Sequence, residues 1–299
     1  MKIGVVLPQG WAREYAGWDA ARAWGRTVEL ARQSEDLGFE SIWLYDHFHT
    51  RGVPADELTF EAFTALSALA AITSRVRLGH VVLCAGYRNP ALVAKMAGTL
   101  DVISSGRFEL GLGAGWKEDE YVAYGYGFPS LRDRMGMLAD SLEVADRMLR
   151  PGRATFQGEH AGVQDAINLP KGLQQPRIPI IVGGNGPEVT WRLAVRYADE
   201  LNLDELTPAE TAAAMPVIRS RCEEIGRDPA TLRVSCHISA RQPQNADVGV
   251  SGAPRRAVLA AYRDAGIDRV MAMITLVDDD RALVDLAADA VAAGAELAV

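Results

Sequence analysis

Asp46-His47-Phe48-His49 sets a carboxylate and two imidazoles within four residues. A histidine titrates near neutral pH, so His47 is a candidate general acid or base. The His-x-His spacing also suits a divalent metal held by His47 and His49, as in barrel hydrolases, provided other strand ends supply further ligands. A hydrogen-bonded structural His47 is the third reading, and His49 reads as loop surface. Gly111-Leu112-Gly113-Ala114-Gly115-Trp116 places glycines at alternate positions. On a strand this strips one face of side chains, so backbone can approach a flat ring or an anion. The pattern is GxGxG rather than the dinucleotide GxGxxG, and a glycine-rich wall also accounts for it. Ile181-Val182-Gly183-Gly184-Asn185-Gly186-Pro187 joins an apolar run to a helix-like segment. Such a turn offers free N–H groups and the positive end of a helix dipole to phosphate. No Walker lysine follows, so the turn reads as a phosphate or phosphodiester cradle, or as a plain tight turn.

Other chemistries find no support. There is no GxSxG elbow and no HExxH. Asp278-Asp279-Asp280 reads as capping at a helix start. Cys84, Cys222 and Cys236 are too widely spaced for a disulfide framework or a zinc pair. Lysine is rare, with Lys2, Lys95, Lys117 and Lys171 among 31 basic residues, which leaves few Schiff-base candidates. The net charge of −8 argues against a broad electropositive face for nucleic acid. No run approaches the roughly 18–20 apolar residues of a membrane span. The apolar start Ile3–Leu7 is shorter than a signal-peptide core. The expectation is a soluble, cytoplasmic protein that binds neither membrane nor nucleic acid and acts on a small molecule.

Something must hold these segments together, and strand-like and helix-like stretches alternate along the whole chain. Strands are expected at Ile3–Leu7, Ser41–Tyr45, Val76–Leu83, Phe108–Leu112, Ile178–Val182, Leu201–Leu203, Leu232–Ser239 and Arg269–Ile274. Helices are expected at Asp19–Leu37, Thr59–Ile72, Pro90–Ile103, Leu131–Leu149, Glu188–Tyr197, Pro208–Ile225, Pro254–Ala265 and Arg281–Ala298. Eight such units in a row predict an α/β fold of the (β/α)8 TIM-barrel class. An open doubly wound sheet is the alternative, but no glycine fingerprint follows the first strand. The Pro- and Gly-rich stretch 151–179 breaks the rhythm and reads as an insertion before the fifth strand, with a short hairpin at Ala154–Gln157 and Val163–Asn168. The expected organisation is one barrel domain over 1–299 with that insertion inside it. In a barrel the strand C-terminal ends build the site, which gathers the three motifs at one mouth.

Taken together, these segments resemble the luciferase-like monooxygenase superfamily in its branch dependent on the deazaflavin coenzyme F420. The residues that carry the resemblance are Leu37–His47, Tyr87-Arg88-Asn89-Pro90, Leu100-Asp101 with Ser105-Gly106-Arg107, Gly111–Trp116 with Glu120-Tyr121, and Ile181–Gly186 with Ala198-Asp199 and Asn202. The resemblance implies a barrel with the cofactor across the strand C-terminal ends. It makes His47 the catalytic residue. It assigns Asp46, Val81, Val82, Gly113, Gly115, Asp119, Gly183, Gly184, Asn185 and Gly186 to the cofactor, with a non-prolyl cis peptide at Val81–Val82 backing the ring. It also implies hydride transfer to or from a small organic substrate, and a homodimer. Flavin mononucleotide with monooxygenase chemistry is the closest alternative, and a barrel that only binds flavin is another. The sequence departs from the pattern at Cys84-Ala85, at Glu200-Leu201 and at Trp116, which stands where some relatives carry an acid. An essential acid would then fall to Glu118 or Glu120.

Overall fold

The computed structural model describes residues 1–275 and 277–297. The chain runs β1 (Lys2–Val6), α1 (Ala20–Asp36), β2 (Ser41–Leu44), α2 (Ala62–Ile72), β3 (Arg77–His80), β4 (Leu83–Cys84) and α3 (Pro90–Ile103). It continues β5 (Phe108–Gly113), α4 (Glu118–Ala123), α5 (Leu131–Leu149), β6 (Ala154–Gln157), β7 (Gly162–Ala166), β8 (Ile180–Gly183) and α6 (Thr190–Tyr197). The last elements are β9 (Glu200–Asp204), α7 (Pro208–Glu224), β10 (Arg233–Ile238), α8 (Ala253–Asp264), β11 (Arg269–Met273) and α9 (Ala282–Ala292).

The strand order is β3-β2-β1-β11-β10-β9-β8-β5, and a further β3–β5 pairing joins the ends. Every pairing in this ring is parallel, which makes a closed (β/α)8 barrel of the kind the alternation predicts. Capping residues start the helices where they were expected. Asn89 accepts from the Ala91 and Leu92 amides ahead of Pro90, and Thr207 forms a reciprocal capping box with Glu210 ahead of Pro208. The predicted insertion hairpin is β6–β7, an antiparallel pair apart from the barrel sheet.

The barrel interior is layered. At its floor, where the strands begin, Arg269 is enclosed by Glu109, Glu200 and Glu40, with Arg77 and Arg233 beside them. Trp43, Met271 and Ile181, all fully buried, fill the middle. This is a packed core, and only the top layer opens to solvent.

Differences from expectation have local causes. The single strand Val76–Leu83 is split into β3 and β4 by a cis Val81–Val82 bond. The short α4, not foreseen, carries three acids in its first turn, Glu118, Asp119 and Glu120, which suit a helix N-terminus. Six residues are too few for a periodic signal to show. The last helix was expected to reach Ala298, which lies outside the described residues; α9 stops at Ala292.

Candidate active site

A cavity of about 300 Å³ opens at the strand C-terminal ends. His47, one position beyond the end of the β2–Tyr45–Asp46 run, lies on its wall with its side chain 12% exposed. Its Nδ1 is 2.9 Å from Glu120 Oε2. Glu120 is fully buried and also accepts from the Phe48 amide at 3.0 Å and the Tyr87 hydroxyl at 3.1 Å. Burial alone would raise its carboxyl, but the His47 hydrogen bond and charge, with the Phe48 and His49 amides, hold it below its ordinary value. An ionised Glu120 accepts only, so His47 Nδ1–H donates to it and Nε2 is the atom left for chemistry. The Trp11 ring stacks on the imidazole at 4.3 Å and 5°, and the Trp116 ring meets it edge-on at 5.9 Å. The ring is thus fixed in tautomer and in plane. Of the two acids considered in place of Trp116, Glu120 is the one on His47.

Asp46 is occupied differently. Arg88 grips its carboxylate through two bonds of 2.8 and 2.9 Å, and the Cys84 amide donates to it at 2.8 Å. Asp46 therefore ties β2 to the segment after the cis bond. That bond presents Val82 against the glycines of two strands. A Cβ on Gly113 would lie 2.7 Å from Val82 Cγ2, and one on Gly183 would lie 2.9 Å from both Val82 methyls. Gly113 and Gly183 make room for Val82, and both glycines line the cavity together with Val81 and Val82. Part of the bare-backbone wall expected from GxGxG is thus covered by Val82, which enters from the segment between β3 and β4.

The turn after β8 divides its groups. The Gly184 amide donates to the Asn202 carbonyl at 3.0 Å and so extends the sheet. The Asn185 side chain is spent on the Asp204 backbone, donating to its carbonyl at 2.8 Å and accepting from its amide at 2.9 Å. Gly183, Gly184 and Thr190 line the cavity, while Asn185 and Gly186 stand exposed at its rim. Asp119 does not line it; its carboxylate pairs with Lys117. Gly115 lines it close to the Cys84 thiol, which is 2.9 Å from the Tyr121 hydroxyl.

His49 is not the surface residue expected. Its side chain is 15% exposed and sits 3.9 Å from both Asp119 and Glu120, because α4 folds over it. Among the described residues no three His, Cys, Asp or Glu side chains are arranged to hold a metal ion.

Sequence reasoning did not single out a second polar cluster of the cavity wall. Here Tyr45 Oη is 2.6 Å from His237 Nε2, and His237 Nδ1 is 2.9 Å from Asp204 Oδ1. With Asp204 ionised, Nδ1–H donates to it and the Tyr45 hydroxyl donates to Nε2. Glu205 and Arg51 complete this side, and Trp11 packs against both Tyr45 and His47. Their one sequence signal was position, since each follows a predicted strand end.

A family model described as luciferase-like monooxygenase matches residues 1–246. The chain belongs to the luciferase-like monooxygenase family. An F420-dependent glucose-6-phosphate dehydrogenase of Kineococcus radiotolerans is 36% identical over 56% of this chain and 48% of its own length. The chain thus spans about half of that relative. Pyrimidine monooxygenase RutA of Caulobacter segnis is 25% identical over 92% of this chain and 77% of its own. The fold is shared with an F420-dependent secondary alcohol dehydrogenase solved with an F420–acetone adduct, at a TM-score of 0.81 and 19% identity, covering 96% of this chain and 97% of that one. No described helix is long and apolar enough to cross a membrane.

Proposed function

We propose that this member of the luciferase-like monooxygenase family is an oxidoreductase dependent on coenzyme F420, which moves a hydride between the coenzyme and a small organic molecule. The observation that carries the reading is the Glu120–His47 pair at the barrel mouth, facing the same cavity as the Val81–Val82 wall and the Gly183–Gly184 turn. The likeness to an F420-dependent glucose-6-phosphate dehydrogenase supports the choice of coenzyme.

The residues fit such a group. Val81 and Val82 offer a flat apolar backing for a ring. The rim amides of Asn185 and Gly186, ahead of α6, suit a phosphate. Lys117 and Arg88 are already paired with Asp119 and Asp46, which leaves the rim amides and Arg51, unpaired with any carboxylate among the described residues, to meet a phosphate. When bound, F420 supplies a carbon that gives or takes hydride. The chain's own residues then do three things. Glu120 keeps His47 in one tautomer, His47 Nε2 holds or moves the proton that accompanies the hydride, and Trp11 with Trp116 shields that nitrogen from water.

The wide coverage of the pyrimidine monooxygenase favours monooxygenase chemistry as the second reading, for which flavin mononucleotide is the coenzyme to test. Titration of the purified protein with each coenzyme, followed by fluorescence quenching, separates the two. F420 is expected to bind at least about tenfold more tightly, a difference of about 1.4 kcal/mol. Tighter binding of flavin mononucleotide, or binding of neither, overturns the proposal.

A further inference from the structure

Glu120 is crowded with donors. Its Oε1 accepts from the Phe48 amide at 3.0 Å and is reached by the His49 amide at 3.4 Å. Its Oε2 accepts from His47 Nδ1 at 2.9 Å and from the Tyr87 hydroxyl at 3.1 Å. The first two donors are backbone. Of the side chains, one is the imidazole that handles the proton, and the other is Tyr87, to which the proposed chemistry gives no task.

Tyr87 is built to donate and nothing else. It is buried, and its ring packs against Phe48 at 4.6 Å, Tyr121 at 4.8 Å and Tyr126 at 5.2 Å. Among the described residues Glu120 is the one hydrogen-bond partner of its hydroxyl. Burial, and then the Glu120 charge, push that hydroxyl far above its ordinary value, so it keeps its proton.

We propose that Tyr87 is a positioning residue that sets how tightly His47 holds its proton, by sharing with it one oxygen of Glu120. The charge on a carboxylate oxygen is divided among the donors it accepts from, and burial strengthens the effect. An imidazolium draws on that oxygen more than a neutral imidazole does. The Tyr87 bond therefore weakens the protonated form of His47 more than the neutral form, and His47 releases its proton more readily. This deepens the F420 reading, which gives His47 that proton.

The other charges near His47 have partners of their own. Asp119 beside Glu120 is paired with Lys117, Asp46 is gripped by Arg88, and Asp204 at the end of β9 accepts from His237. Arg51 lies 5.5 Å from the Trp11 ring that stacks on His47. His49, 3.9 Å from both Asp119 and Glu120, is the second imidazole here, so its ring must be followed alongside. Burial pushes the neighbouring Cys84 thiol up to about 11, which keeps it neutral.

The first measurement needs no coenzyme. Protein labelled with ¹⁵N at histidine is titrated by NMR, and His47 and His49 are followed together. The midpoint of His47 should rise by about 0.3 pH units or more in Tyr87→Phe, which keeps the ring and its packing. Placing 3-fluorotyrosine at position 87, a more acidic and so stronger donor, should lower it. Tyr126→Phe removes a hydroxyl of the same aromatic cluster that has no bond to Glu120, and should leave the midpoint within about 0.1 pH units. With F420 loaded, the limb of the pH–rate profile set by His47 should move in the same direction as the midpoint in each variant. Shifted midpoints in a protein that takes up no F420 would end the coenzyme reading and leave this one standing. An unmoved or lowered midpoint in Tyr87→Phe overturns the inference. So does an equal rise in Tyr126→Phe, or a fluorotyrosine midpoint that does not fall.

Discussion

At the scale of single residues, the site turns on which nitrogen of His47 carries the proton. Glu120 is held ionised and accepts from Nδ1–H, so Nε2 is free. Glu120→Gln removes that bias, since an amide can donate to Nδ1 and favour the Nε2–H tautomer. The change is readable without any substrate: ¹⁵N NMR of the imidazole should show Nδ1–H in the parent and a shift toward Nε2–H in Glu120→Gln. An unchanged tautomer would show that Glu120 does not orient the ring. Turnover should fall by about 10²–10⁴-fold in His47→Ala, the usual range for losing a general acid or base, with F420 still bound. A rate within about twofold of the parent would remove His47 from the proton transfer. Both residues were legible in the sequence, His47 from its place after a strand and Glu120 as a candidate for the missing acid. Their pairing was not, because it depends on how α4 folds back over the 46–49 segment.

At the scale of elements, the wall behind the cavity is an agreement between three strands. Val82 enters the space that Gly113 on β5 and Gly183 on β8 leave open. Gly113→Ala would put a methyl 2.7 Å from Val82 Cγ2 and should cost about 1–3 kcal/mol, the usual overpacking penalty, read from urea unfolding. Val82→Ala removes the obstructing methyls, so the double variant should recover most of that loss. If it recovers none, the two positions do not share the space and the glycines serve another purpose. This also shows where sequence reading stopped. Alternation of apolar runs with amphipathic stretches made the eight units readable, down to α3 and α5, whose bounds match those expected. The glycines at alternate positions were visible too. What fills the space beside them comes from the segment between β3 and β4, and no local pattern records that. The Tyr45–His237–Asp204 wall was hidden for the same reason, since His237 looked like an interior strand residue until the ring closed and brought β10 opposite the end of β2.

At the scale of the whole molecule, the two ends of the barrel carry charge for different purposes. The mouth pairs His47 with Glu120 and His237 with Asp204 around the cavity, while the floor gathers carboxylates around the buried Arg269. Glu109 is fully buried, yet Arg269, with Arg77 and Arg233, holds its carboxyl down to about 2 against the pull of burial. His80, wholly buried against the rings of Phe63 and Phe108, is pushed down to about 3 by burial and by the Arg88 charge. Both groups act in the same direction on acidification. An unfolded histidine takes a proton near 6.5 and an unfolded glutamate near 4.5, whereas the folded chain resists both. The unfolded state therefore binds more protons, and stability falls as pH drops. The His80 contribution is complete above 6.5 and is lost between 6.5 and about 3; the Glu109 contribution is complete above 4.5 and is lost between 4.5 and about 2. Between 6.5 and 4.5 the His80 loss, with a slope of up to about 1.4 kcal/mol per pH unit, runs against a gain from Glu205, whose carboxyl is pushed up to about 7 by burial and takes its proton first in the folded chain. His80→Leu keeps the site apolar and cannot be protonated, so its urea midpoint should gain steadily on that of the parent as pH falls from 7 to 5. An equal slope in both would mean that His80 is free to take its proton in the folded chain, and that the barrel wall around it opens more readily than its packing implies.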